Sequence, residues 1–87
     1  MSWVYILEST VNGKFYIGCT DNYRRRFSEH NSGKVKSTSA DRPWRIRLVE
    51  EYPTLRQARK IEYKLKKLKR KDYIRKIVED GFIKLRA

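Results

Sequence analysis

WVYILESTVNGKFYIGCT, residues 3–20, reads as a β-hairpin. Trp3 to Leu7 is apolar without alternation and rich in strand-forming side chains, the pattern of a central strand covered on both faces. Asn12-Gly13 follows, and both residues tolerate positive φ, so they predict a two-residue turn with Lys14 to Thr20 as the returning strand. A hairpin closed there sets Tyr5 opposite Thr20 and Tyr16 opposite Ser9. Side chains alternate along a strand and facing residues share a side, so Tyr5, Leu7, Tyr16, Gly18 and Thr20 point to one face. Gly18 leaves a notch between the two tyrosines. In this register a bulge or strong twist is needed to bring their hydroxyls together.

Beyond the hairpin, Asp21 or Asn22 caps a first helix that runs to about Asn31 and stops at Asn31-Ser32-Gly33. Tyr23, Arg26, Phe27 and His30 recur at helical spacings, so Phe27 anchors one side on the sheet while Arg26 and His30 project together along its edge. Ser32 to Arg42 is basic, Ser/Thr-rich and without apolar period, and reads as a long surface loop. After Pro43, Trp44, Ile46 and Leu48 alternate with Arg45 and Arg47, a third strand with one buried face and one wet, basic face. Thr54-Leu55-Arg56-Gln57 is a capping box that opens a second helix. Leu55, Ala58, Ile61, Leu65 and Leu68 form its apolar stripe, and Glu62 sits on the border of that stripe, spaced to pair with Lys66 or Arg59. A last helix from about Asp72 to Asp80 carries Tyr73, Ile74, Ile77 and Val78 and ends at Gly81, with Phe82, Ile83 and Leu85 tucking back on the core. The order strand, strand, helix, strand, helix, helix predicts one α/β domain over residues 1–87. Its core is a small three-stranded, largely antiparallel sheet flanked by helices.

Charge narrows the partners. Lys and Arg total 22 against 10 acidic residues, a net +12 at pH 7. Self-repulsion on that scale disfavours a compact chain unless a polyanion meets it, with nucleic acid the first choice and an anionic membrane surface the second. No apolar run approaches the ~20 residues of a membrane span, and no signal peptide opens the chain. The lone Cys19 cannot form an internal disulfide, which fits a reducing cytoplasm. One cysteine and one histidine also argue against a structural zinc site. A monomer is expected.

Trp3-Val4-Tyr5 followed by Phe15-Tyr16-Ile17-Gly18 resembles the paired motifs that name the GIY-YIG nucleases. Arg26 lies ten residues beyond Tyr16, and His30-Asn31, the stretch from Thr38 to Pro43-Trp44, and Ala58-x-x-x-Glu62 follow in order. The likeness covers roughly residues 2–75 and is closest in style to short single-domain bacterial members and the excision-repair nuclease UvrC. It implies hydrolysis of a DNA phosphodiester by water with one divalent metal ion, Mg²⁺ or Mn²⁺. Glu62 is then the metal ligand, since a hard cation accepts one carboxylate when water and phosphate complete its shell. Tyr5 is the base and Tyr16 positions water or phosphate, or the reverse; neighbouring positive charge is expected to lower the phenol pKa from its usual ~10. Arg26 offers its planar fork to the phosphate, and His30 accepts a proton from a tyrosine or gives one to the leaving oxygen. Arg24, Arg25, Lys34, Lys36, Thr38, Arg42, Arg45 and Arg47 are the expected nucleic-acid contacts. They suit phosphate rather than base edges, and so selection by shape in repair or recombination. The chain departs from the family pattern twice: Trp3 stands where the first motif has glycine, and no asparagine follows Asn31, where several relatives carry one after the metal glutamate. A non-catalytic nucleic-acid-binding module on the same fold is the alternative, and a basic ribosomal protein is a third reading.

Overall fold

A computed structural model describes residues 1–68 and 70–83. Strands β1 (Ser2–Ser9) and β2 (Phe15–Thr20) are followed by helix α1 (Tyr23–Ser32) and a 3₁₀ helix (Lys36–Asp41). Strand β3 (Trp44–Tyr52) and helices α2 (Leu55–Leu68) and α3 (Lys71–Asp80) complete the order. The sheet runs β2-β1-β3 with both pairings antiparallel, so the apolar β1 is central, as its unbroken hydrophobicity requires.

Even-numbered β1 residues face α2 and α3, and odd-numbered ones face α1. On the first side Val4, Ile6, Ile17 and Leu48 pack with Ala58, Ile61 and Leu65 of α2 and Ile74 and Val78 of α3. Ile61 and Leu65 are 0% and 1% exposed, so each contributes about 1.5–3 kcal/mol through removal from water. On the second side Tyr5, Leu7 and Trp44 form a smaller cluster with Tyr16, Phe27 and Val49. Asn22 caps α1 by accepting from the Arg25 amide, and Gly33 ends it at φ 85°.

Three expectations change. The hairpin loop has four residues rather than two: the Ser9 amide bonds the Lys14 carbonyl, and Gly13, at φ 74°, bonds back to the Ser9 carbonyl. The Ser9 hydroxyl accepts from Val11 and Asn12, and the Asn12 side chain accepts from Lys14, so local side chains stabilise the wider turn. Tyr5 therefore faces Gly18, and Tyr16 faces Leu7.

In β3 the pairing slips between Ile6↔Leu48 and Leu7↔Ile46, leaving Arg47 as an extra, bulged residue. Parity changes there. Trp44 lies on the tyrosine side and Leu48 on the α2 side, so the strand has no single buried face.

The third change is in the stretch read as a surface loop, which contains the 3₁₀ helix and a buried Thr38. Leu55, Tyr73 and Phe82 are also more exposed than their apolar patterns suggest, while Ile83 does return to the core; Leu85 lies outside the described residues. Among the described residues no helix is long and apolar enough to cross a membrane.

Candidate active site

Tyr5 is 3% exposed and lies across Gly18, where an added Cβ would overlap its hydroxyl and Cζ. The two-residue shift in hairpin register makes Tyr16 its diagonal neighbour, with ring centroids 6.3 Å apart. The twist or bulge expected to join the tyrosines is unnecessary.

His30, in the last turn of α1, is fully buried between them. Its Nε2 lies 3.0 Å from the Tyr5 oxygen, and its ring centroid 4.8 Å from that of Tyr16. Its Nδ1 lies 2.8 Å from Thr38 Oγ1. Thr38 Oγ1 in turn donates to the Val35 carbonyl at 3.3 Å. Hydrogen-bond accounting assigns the tautomer. With the proton on Nδ1, Tyr5 donates to Nε2, Nδ1–H donates to Thr38, and Thr38 donates to Val35. With the proton on Nε2, the hydrogen of the buried Tyr5 has no protein acceptor among the described residues. In the Nδ1–H tautomer, Nε2 is the acceptor for the Tyr5 proton.

Burial lowers the His30 pKa, assisted by the Arg26 charge and opposed by Glu29, so the ring is neutral at pH 7. The Tyr5 pKa is pushed up to about 12, chiefly by burial; the Arg26 guanidinium beside the hydroxyl acts in the opposite sense and is outweighed. The expected lowering by positive charge is therefore reversed, and Tyr5 stands as a phenol. Arg26 is held by Glu29 at 3.0 Å, with part of the guanidinium left open to solvent.

Glu62 approaches from α2. Its Oε1 accepts from Cys19 Sγ at 3.3 Å and its Oε2 pairs with Lys66 Nζ at 3.1 Å. That ammonium also lies 5.9 Å from the Tyr16 ring centroid. Cys19 is on the α2 side of β2 and Tyr16 on the other, so Lys66 reaches round the open edge of this outer strand while Glu62 is bonded to Cys19. The Glu62 charge is felt at Tyr5, where it adds to the upward shift. Burial and the Glu62 hydrogen bond push the Cys19 thiol up to about 11, which keeps it protonated. Among the described residues no three His, Cys, Asp or Glu side chains cluster as a metal cage. A single carboxylate, one-fifth exposed, still fits a hard divalent ion that keeps most of its water.

Tyr5, Tyr16, Arg26 and His30 are thus gathered, with Glu62 linked to them through Lys66 and through its charge at Tyr5, but the expected nucleic-acid contacts divide. Lys34, Lys36 and Arg42 are exposed around the 3₁₀ helix, and Arg24 is exposed over the Tyr23 ring. Arg25 is engaged by Asp21 at 3.1 Å. Arg45 and Arg47 converge with Arg75 on the buried Glu8, on the α2–α3 side of the sheet and away from the tyrosines. Thr38 is 2% exposed, so its hydroxyl serves His30 rather than the surface.

Sequence reading missed that role, the Cys19 bond to Glu62, and Asn31, whose side chain clamps both backbone groups of Trp44 at 2.6 and 3.0 Å. The adjacency of Asn31 to His30 was a signal for the last; nothing in residues 32–42 marked Thr38 as inward-facing.

A β-β-α-β-α-α chain whose hairpin register brings Tyr5 and Tyr16 together on one face has the fold of the GIY-YIG class of nucleases. The chain belongs to that family, matching the GIY-YIG catalytic domain over residues 1–76. The family's members are generally nucleases and generally use divalent metal ions. A UPF0213 protein of Bacillus licheniformis is 40% identical over 88% of this chain and 79% of its own length. A structure-specific endonuclease subunit SLX1 of Chaetomium globosum is 44% identical over 71% of this chain, which corresponds to 21% of that longer protein. Among solved structures, the solution NMR structure of the UPF0213 protein BH0048 from Bacillus halodurans matches with a TM-score of 0.58 and 34% identity, covering 93% of this chain and 87% of that one.

Proposed function

We propose that this chain is a metal-dependent DNA endonuclease that hydrolyses phosphodiester bonds and selects DNA by shape, as in repair or recombination within the cytoplasm. The observation that carries the reading is the hydrogen-bonded chain from Tyr5 through His30 to Thr38, because it gives a phenol of high pKa somewhere to send its proton. As a water oxygen forms its bond to phosphorus, the water proton passes to the Tyr5 oxygen while the Tyr5 proton moves to His30 Nε2. The P–O bond to the leaving group breaks, and that oxygen takes a proton from solvent. The negative phosphate favours the resulting imidazolium, whose Nδ1–H stays on Thr38. Arg26 offers donors to the non-bridging oxygens, and Tyr16 orients water or phosphate. Glu62 is the residue that would hold Mg²⁺ or Mn²⁺, which when bound would neutralise phosphate charge and polarise the bond to be cleaved. The relative whose name specifies structure-specific cleavage supports selection by shape.

The Lys66–Glu62 pair favours a second reading, a DNA-binding module whose carboxylate only balances a lysine. Glu62→Gln separates the two. Cleavage of linear, flapped and branched DNA is measured with Mg²⁺ or Mn²⁺ and with chelator, alongside metal-free affinity. A nuclease loses cleavage and keeps or slightly gains affinity, since one negative charge has left a basic surface. A variant cutting at the parent rate sinks the single-metal reading; a parent that binds every DNA form and cuts none establishes the module.

A further inference from the structure

Trp3 replaces the glycine of the first motif and has no part in the proposed chemistry. It precedes Tyr5 by two residues in β1 and points to the same face of the sheet, which puts the two side chains ~7 Å apart along the strand. Its partly exposed ring packs edge-on against the partly exposed Tyr23, with centroids 4.9 Å apart and planes at 63°. The Arg24 guanidinium lies 5.6 Å from the Tyr23 centroid. These three side chains border an open depression of about 330 Å³ with Asp21 and Asn22. The acid there is already engaged, by Arg25 at 3.1 Å, whereas Arg24 has no ion pair among the described residues.

The depression therefore presents two partly exposed aromatic rings beside a planar cation that has no ion pair among the described residues. An aliphatic ligand would use the rings and leave the guanidinium idle, and a lone phosphate would do the reverse. A nucleotide uses both, through base stacking and a charge-assisted hydrogen bond to phosphate. We infer that Trp3, Tyr23 and Arg24 form a stacking platform for one unpaired nucleobase of the DNA strand lying at Tyr5. Bases inside a closed duplex are already stacked on their neighbours, so the platform engages DNA only where a base is unpaired, as in a flap, gap or single strand. The inference rests on the DNA reading of the tyrosine site and specifies which DNA that site takes.

Tryptophan fluorescence tests it without metal or cleavage. Trp44 is 4% exposed and shielded from ligand, so quenching reports Trp3. The parent protein is titrated in chelator with a short oligothymidylate and with a blunt duplex of equal phosphate count. Stacking predicts saturable quenching by the single strand and little by the duplex. Trp3→Leu, followed by anisotropy of end-labelled DNA because its reporter is gone, retains an apolar partner for Tyr23 and should weaken single-strand binding about tenfold, with duplex affinity unchanged within twofold. Tyr23→Leu, at an exposed helix start, should weaken it several-fold and serves if Trp3→Leu does not fold. Equal quenching by both DNAs, or full single-strand affinity in a folded Trp3 or Tyr23 variant, overturns the platform and leaves the nuclease reading standing. A parent that binds neither DNA overturns both.

Discussion

At the scale of single residues, the proposed chemistry turns on a phenol whose pKa has moved the unhelpful way. At about 12, Tyr5 is scarcely ionised near neutrality, so in the proposed reaction its part is that of a relay rather than a preformed base. Tyr5→Phe keeps the buried ring and should lower cleavage about a hundredfold or more with folding intact; a Phe variant cutting at the parent rate clears Tyr5 of the role. Thr38 matters through the tautomer it imposes. Thr38→Val preserves shape but removes the acceptor for Nδ1–H, so ¹⁵N shifts of the His30 ring should show a mixed or reversed tautomer and cleavage should fall, whereas Thr38→Ser restores both. An unchanged ring spectrum in the valine variant excludes Thr38 as the determinant. His30 also sets a pH dependence. Its folded pKa lies below the unfolded 6.5, so the unfolded chain binds the proton more readily and acid favours unfolding. The stabilisation is fully present above pH 6.5 and is lost as pH falls through the folded value. Thermal midpoints recorded downward from pH 7.5 should therefore decline below about 6.5 in the parent, and less steeply in His30→Gln.

The elements explain which of this was legible in advance. Faces are robust to an even register error: moving the hairpin by two residues keeps Tyr5, Tyr16 and Gly18 on one side, so the sequence pattern found the right face with the wrong neighbours. What it could not weigh was the Ser9 and Asn12 side-chain bonding that favours a four-residue loop over an Asn-Gly turn. β3 misled more deeply, because one bulged residue inverts parity and no residue type announces it. The motif residues themselves were readable by spacing. Thr38 was not, since its burial comes from a 3₁₀ turn closing over His30 and carries no periodic signal. Gly18 tests the hairpin. An added methyl would meet the Tyr5 ring and hydroxyl, so Gly18→Ala must displace Tyr5 or strain β2, at about 1–3 kcal/mol. Cleavage should fall by far more than that loss of stability accounts for. A variant as stable and active as the parent would show that Tyr5 does not need to lie across this position.

Across the whole molecule the excess charge is unevenly available. Net +12 made a polyanionic partner the natural reading, yet side-chain pairing commits part of that charge within the fold. Arg45, Arg47 and Arg75 share Glu8 on the α2–α3 side, while Lys34, Lys36 and Arg42 have no ion pair among the described residues and flank the helix that delivers His30. The tyrosine side should therefore face DNA, with binding governed by counterion release: six phosphate contacts on duplex give a slope of log K against log salt of roughly −5. Each contact removed should flatten that slope by about one. Lys36→Ala is expected to do so, because this exposed lysine has no ion pair among the described residues. Arg45→Ala should leave the slope unchanged, because its partner Glu8 lies on the opposite side of the sheet. Affinities of the parent and both variants, measured in chelator over a salt series on one duplex, check the pair. If Arg45→Ala flattens the slope as much as Lys36→Ala, DNA wraps the α2–α3 side as well; if the parent shows no salt dependence, nucleic acid is not what this charge is for.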